Sequence, residues 1–407
     1  MTKVLTRKMP RSQDEISILG YGCMRFPRKM GTIDMVASER QVRLAIENGV
    51  NYFDTAYVYP GNEKAIGDIL AKGDLQGRLR ERVFLATKLH LMMVKSQDDM
   101  DRIFNKSLER LQTNYIDYYL VHSLSSFSEW EKGKNMGIIE FLDFIKKSGK
   151  AKYVGFSWHG NLHDFRDIVD DYDWDFCQLQ YNYLDEYHQA GLQGINYAEE
   201  KGLGVIVMEP LRGGTLADKK KIPKAALELM DSYTKDSGVN RSPAEWGLRY
   251  VWNHPAVTCL LSGMNDDAQV AENVETASSA TPNALSTNEL DMLGLVRDIF
   301  QKTIKVGCTG CSYCMPCPAG VNIPLCFSDY NNYSMFESNH VKLMHNFNLR
   351  GRVTIPSSYA INCKKCGVCE KKCPQNIKIV ESLDAVAETL ESPLYRAVAK
   401  IASIFIG

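Results

Sequence analysis

The chain has 407 residues, 44% hydrophobic and 24% charged, with a formal net charge of −1. That length admits two domains, or a large barrel with an appendage. The near-zero charge argues against a general nucleic-acid binder, and there is no apolar run of about eighteen residues that would span a membrane. The segment Met1–Asp14 is polar and charged, unlike a secretory leader, so a cytoplasmic location is the expectation.

The first three hundred residues repeat a rhythm of short apolar strand, loop and amphipathic helix. The expected strands are Ile16–Gly22, Val50–Thr55, Val83–Lys88, Ile116–His122, Lys152–Ser157, Phe176–Tyr181, Gly204–Glu209 and Val257–Ser262. They are rich in Val, Ile, Leu, Phe and Tyr and mostly lack alternation, as strands buried on both faces do. Between them, Ser38-x-x-Gln41 reads as a capping box. Met100, Ile103, Phe104, Ser107, Leu108 and Leu111 form one helix face. Ser242-Pro243-Ala244-Glu245 supplies a cap, a first-turn proline and an acid. Eight strands alternating with helices predict an α/β fold, a (β/α)8 TIM barrel, with an open doubly wound sheet as the alternative. No GxGxxG follows the first strand, which weakens a dinucleotide-binding open sheet.

Ser, Thr, Pro and Asn gather at Ser279–Asn288 as a linker, and Leu285–Lys302 reads as a helix beyond it. The expected organisation is a barrel over 1–285, a small ferredoxin-like iron–sulfur domain over 286–390 and an amphipathic tail over 391–407. Short helices are expected at Pro324–Phe336 and His340–Asn346. In the tail, Leu394, Val398, Ile401, Ala402 and Phe405 share one side, expected to pack on the protein body.

Nine of the twelve cysteines lie between 308 and 373. Eight form two groups, Cys308-x2-Cys311-x2-Cys314-x2-Cys317-Pro318 and Cys363-x2-Cys366-x2-Cys369-x3-Cys373-Pro374. The second has the spacing and closing Cys-Pro by which bacterial ferredoxins hold 4Fe–4S clusters through thiolates. The first is one residue shorter before its last cysteine, which leaves the role of Cys317 open with Cys326 as a nearby spare thiol. Zinc is the alternative occupant, since paired C-x2-C steps also hold it. Two 4Fe–4S clusters are expected; cross-ligation would place Cys317 on the cluster of the second group and Cys373 on that of the first. Cys23, Cys177 and Cys259 lie in apolar runs and read as packing.

In a barrel of this kind chemistry sits where strands end. Asp54, Lys88, His122 and Ser157 close the second to fifth strands, and Tyr59 follows Asp54 on the adjoining loop. A tyrosine is a weak acid near neutrality, and a neighbouring ammonium would lower its pKa. With the lysine held by a carboxylate and a histidine orienting a carbonyl, Tyr59 could protonate the oxygen as a hydride reaches carbon. Trp130, Trp158 and His159 are candidates to line the pocket.

The run Asn51–Glu63 (NYFDTAYVYPGNE) resembles the active-site signature of the aldo-keto reductase superfamily. So do Thr87-Lys88, Ser107–Ser123, Gly155-Phe156-Ser157, Gln178–Asn182 and Val207–Leu211. The cysteine-rich tail is similar to the superfamily's ferredoxin-fused branch. The resemblance implies a tetrad of Asp54, Tyr59, Lys88 and His122, with Ser157 and Gln180 at the nicotinamide amide and Tyr181 near its ring. It also implies a pyrophosphate loop of Leu211, Arg212, Gly213 and Gly214, and adenine-side contacts from Ser262, Gly263, Glu272 and Asn273. Family members that prefer NADPH carry a Lys-Ser pair and an Arg after the last strand. Gly263-Met264 and Gln269 stand there instead, which leaves NADH or NADPH open.

Function is read three ways. A carbonyl or related group is reduced in the barrel while the clusters exchange electrons with a ferredoxin or flavoprotein carrier. Alternatively, a plain NAD(P)H-dependent reductase carries structural or redox-sensing clusters. In the third reading, an electron-transfer subunit uses the barrel as a docking scaffold. The expected partners are a small carbonyl-type substrate and the electron carrier, with no nucleic acid and no transmembrane segment.

Overall fold

Runs of branched and aromatic residues without alternation form strands only where both faces are covered, and closing the sheet inside a ring of helices covers them. The computed structural model, which describes residues 3–74, 77–308, 310, 313–351, 356–373 and 375–402, contains that closed parallel barrel. Its strands are β1 Leu19–Gly22, β2 Tyr52–Asp54, β3 Phe84–His90, β4 Ile116–Leu124, β5 Ala151–Trp158, β6 Phe176–Gln180, β7 Gly204–Met208 and β8 Val257–Ser262. They pair in sequence order, and β8 returns to β1 through Ser262 opposite Tyr21. Cys311, Pro374 and the tail beyond Ala402, with Phe405, lie outside the described residues.

The first expected strand is two. Glu15–Ser17 pairs antiparallel with Thr6–Lys8 as a hairpin, and only Leu19–Gly22 joins the barrel. Ser17 causes the break: its hydroxyl donates to the Leu19 carbonyl at 2.7 Å, and its backbone N–H goes to the Asn51 side chain. The hairpin closes one end of the barrel. Met9 and Ile16 are buried with Tyr52, Tyr118, Phe176, Ile206 and Cys259, and the Tyr118 hydroxyl donates to Asp14 at 2.7 Å. The Arg7 guanidinium caps the carbonyls of Trp252, His254 and Val257.

The first helix, Met35–Glu47, begins a turn before the expected capping box. Asp34 caps it, accepting from the Ala37 N–H at 3.0 Å, and Ser38 is buried inside the helix. An ionised cap at the positive end outcompetes a serine one turn later. Ser242 caps its helix as expected, accepting from the Glu245 N–H at 3.0 Å ahead of Pro243. Among the described residues no helix is long and apolar enough to cross a membrane.

The chain divides into two compact units, Met1–Lys220 with Asp231–Gly294, and Lys221–Met230 with Leu295–Gly407. In the second unit, helices Ile323–Phe336, Asn339–Leu349 and Ile379–Leu390 surround a core of Val321, Ile323, Phe327, Leu349, Ile379, Leu383 and Val386. A buried imidazole fastens them. His345 binds Asp329 through Nδ1 at 2.9 Å and Glu391 through Nε2 at 3.0 Å. Glu391 also accepts the backbone N–H groups of Ala360 and Ile361. Cys326 lies beside His345 and Glu391, fully buried, where burial pushes its thiol up. The tail helix Pro393–Ala402 packs against the helix Asn339–Leu349, as expected, but not through the expected face: among the described side chains Leu394 and Val398 face solvent and Ala399 is buried.

Candidate active site

Strand ends place three of the four implied tetrad residues. Asp54 ends β2, Lys88 lies in β3 opposite Leu120 of β4, and His122 lies in β4 opposite His90 of β3. Tyr59 comes from the turn between β2 and the helix Asn62–Leu70, where its N–H bonds the Ala56 carbonyl at 3.0 Å. Glu63 pins that turn. The buried carboxylate accepts from Thr87, the neighbour of Lys88, at 2.7 Å and from Arg110 at 3.1 Å.

The four side chains meet. Lys88 Nζ donates to Asp54 Oδ1 at 2.5 Å and to the Thr55 carbonyl at 2.8 Å, with both side chains buried. The ammonium lies 5.5 Å from the centroid of the Tyr59 ring, and that ring meets His122 edge-on at 5.7 Å. Burial first, then the charge of Asp54, pushes the Tyr59 phenol above its ordinary value. Desolvation, which penalises the phenolate, outweighs the pull of the nearby ammonium, so the phenol does not fall below its ordinary value as expected. Burial, reinforced by Lys88, holds His122 well below the usual histidine value, so its ring is neutral at pH 7. His122 Nδ1 and Asp54 Oδ2 have no hydrogen-bond partner among the described residues. Buried atoms left open in this way mark where a ligand's polar atoms fit.

The residues implied for the dinucleotide divide. Ser157 Oγ accepts from the Ser123 N–H at 2.7 Å. Gln180 donates to Asp185 at 2.7 Å, and Arg212 donates to the same carboxylate oxygen at 2.8 Å, as does Asn182. Burial opposes the charge on Asp185, but Arg212 and these hydrogen bonds bring it below the usual carboxylate range. The loop after β7 is wound tightly, with Glu209, Arg212, Gly213 and Gly214 all at positive φ. A Cβ on Gly214 would meet nothing within 4 Å, while Leu211 is buried beneath. Arg25, from the turn after β1, reaches this loop and the next: its side chain would lie 2.8 Å from a Cβ on Gly213 and 2.6 Å from one on Gly263. An open glycine loop beside two guanidinium groups fits a pyrophosphate. Beyond β8, Asn273 donates to Ser262 at 2.9 Å, and Glu272 accepts from Ser242.

Packing places the remaining candidates. Tyr181 is buried and stacks on Tyr250 at 5.6 Å. Trp130 is buried against Trp174 and donates to Asp171 at 2.7 Å. Trp158 is buried with its N–H on the Gly160 carbonyl at 2.8 Å. His159 is exposed. Sequence reasoning passed over Arg25, Asp185 and His90. The His90 ring lies 5.4 Å from that of His122, and its place two residues after Lys88, on the same strand face, was a usable signal.

Seven of the eight described cysteines of the second unit gather on one core. Cys369 is buried in it, and Cys308, Cys314, Cys317, Cys363 and Cys373 pack around it. None of the described cysteines is in a disulfide. Backbone N–H groups of Gly310 and Lys365 point at the sulfurs of Cys308 and Cys363, at 3.5 and 3.4 Å. Thiols around one core with amides aimed at sulfur are the donor set of an iron–sulfur centre.

Residues 18–292 match the model of the aldo/keto reductase family, and residues 307–377 match that of the 4Fe-4S dicluster domain. The chain belongs to the aldo/keto reductase family. It is an oxidoreductase of that type with an iron–sulfur domain at its C-terminal side. Among its relatives, the uncharacterized oxidoreductase YrpG of Bacillus subtilis is 26% identical over 300 residues, 63% of this chain and 84% of the relative. The L-galactose dehydrogenase of Arabidopsis thaliana is 25% identical over 326 residues, 74% of this chain and 94% of that enzyme. Among solved structures, holo aldo-keto reductase AKR11C1 of Bacillus halodurans superposes with a TM-score of 0.59 at 26% identity, covering 72% of this reductase and 96% of that chain.

Proposed function

We propose that the barrel reduces a small carbonyl compound with a nicotinamide dinucleotide, and that the C-terminal unit holds two 4Fe–4S clusters that pass electrons to or from an external carrier. The Asp54–Lys88 pair buried beneath Tyr59, with His122 alongside, carries the reading. The dinucleotide, when bound, supplies a hydride. Tyr59, kept protonated by burial, gives its proton to the carbonyl oxygen. Lys88 stabilises the phenolate left behind, and Asp54 holds Lys88 in place. Neutral His122 orients the carbonyl by hydrogen bonding. Water at the mouth returns the proton to Tyr59.

The helix Asp267–Ala277 favours NADH. Its first turn carries Asp266 as cap and Asp267, which binds Arg40 in a bidentate pair at 2.6 and 3.2 Å. A 2′-phosphate there would meet two carboxylates and an occupied guanidinium.

A hydride carries two electrons and a cluster passes one, so two electrons from the carrier, passed singly through the clusters, and one proton restore the hydride that each carbonyl reduction spends. Anaerobic protein should hold about eight irons per chain, the content of two such clusters, and NADH should bleach their visible absorbance. A protein that turns over aldehydes with NADH while its clusters stay oxidised rejects the electron link. Turnover surviving Tyr59→Phe rejects the assigned proton donor.

A further inference from the structure

The two cysteine groups sit in different electrostatic surroundings. From Gly307 to Gly320 the chain has no charged residue, whereas from Ile361 to Lys378 it has Lys364, Lys365, Lys371, Lys372, Lys378 and one acid, Glu370. All five lysines are exposed. Lys365 pairs with Asp384 at 2.8 Å and Lys378 with Glu381 at 3.8 Å. Lys364, Lys371 and Lys372 form no ion pair among the described residues. Glu370 turns away from this role and accepts the Val380 N–H at 2.9 Å.

Within the same segment Cys366 is the exposed thiol among the described ligand candidates, flanked by Ile361 at 51% and Val368 at 38% exposure. Lysines could serve only to balance the negative charge of a thiolate-bound cluster. The first group would carry the same kind of charge with no lysine between its cysteines and Lys305 alone close before them, so that explanation does not account for five lysines at the second. An exposed sulfur with two apolar side chains and a cationic rim is instead the anatomy of a transient protein contact, where charge steers encounter and a small apolar centre seats it.

We infer that the second cysteine group is the electron port of this reductase, docking an acidic one-electron carrier protein over Cys366. The inference rests on the reading that the clusters exchange electrons with an external carrier. In the step, the reduced carrier loses one electron and the cluster on the second group gains it. No bond forms or breaks, and no proton moves.

The test uses the full-length, cluster-loaded protein under anaerobic conditions, with stopped-flow reduction of the clusters by two probes: a reduced acidic 2Fe–2S ferredoxin and reduced methyl viologen. The variant is Lys364→Glu/Lys371→Glu/Lys372→Glu, with the matching triple Gln variant as the milder form. With ferredoxin, the second-order rate should fall on the order of tenfold or more in the Glu variant and less in the Gln variant. The wild-type rate should fall steeply with salt, because exposed charges are screened within about 8 Å at physiological ionic strength. The cationic viologen should reduce all three proteins without such a loss. Equal ferredoxin rates across variants and salt, or no reduction by ferredoxin where viologen succeeds, would overturn the port while leaving the clusters redox-active. Clusters that neither probe reduces would overturn the electron-exchange reading itself. If the Glu variant loses its iron, the Gln variant and the wild-type salt dependence decide the outcome.

Discussion

Each unit of this reductase buries a charged cluster, and the two are finished differently. In the barrel, the Asp54–Lys88 pair leaves Asp54 Oδ2 and the neighbouring His122 Nδ1 without partners. In the C-terminal unit, both nitrogens of His345 and both oxygens of Glu391 are bonded. Buried polar groups that are fully partnered hold structure, whereas the atoms left open beside Tyr59 are free to take a ligand's polar atoms. The first cluster is arranged for a ligand and the second for the fold.

The largest expected effect separates the two. Tyr59→Phe should lower carbonyl-reduction kcat by about 10²–10⁴-fold, the usual contribution of a positioned acid, with the melting temperature nearly unchanged. A variant that melts early instead would make Tyr59 structural. His345→Gln should do the reverse, destabilising the C-terminal unit by about 3–5 kcal/mol by stranding two carboxylates, as read by denaturant unfolding, with NADH-driven turnover intact. A fall in kcat with the fold preserved would break the comparison.

The pH dependence sharpens it. Burial opposes the charge on His345, but Asp329 and Glu391 together raise it above the ordinary histidine value. Its stabilisation is therefore complete below the unfolded value, near ~6.5, and disappears as pH rises through the folded one. The C-terminal unit should melt progressively earlier above neutrality, and His345→Gln should flatten that slope.

Smaller effects test the dinucleotide side. Asp185→Asn loosens Gln180 and Arg212 together and should raise the Kd for NADH by about tenfold, the worth of one charge-assisted hydrogen bond, in a fluorescence titration. Asp267→Ala releases Arg40 and should lower the KM for NADPH by about two- to fivefold, within the range of a surface charge pair. An unchanged NADPH KM would locate the adenosine elsewhere.

Much of this was legible in the sequence, for identifiable reasons. Strands buried on both faces write themselves as apolar runs, and Asp54, Lys88 and His122 stand out by ending them. The cysteine spacing declared the second unit. The split at Ser17 was hidden because a hydrogen bond to Leu19 leaves no trace in the run Ile16–Gly22. The packing of Trp130, Trp158 and Tyr181 was hidden because an aromatic residue near a strand end does not reveal which face it takes. Asp185 and Arg25 act across loops distant in sequence, on Arg212 and Gly263, and no periodicity encodes such a meeting.

The hairpin beneath the barrel carries a further consequence. With Arg7, Met9 and Asp14 stoppering the far end, Tyr59 is open to ligands from the side of the barrel where the strands end. The barrel floor above that stopper is filled by Tyr52, Tyr118 and Phe176, so removing the hairpin would strip packing from the floor instead of opening a second way in.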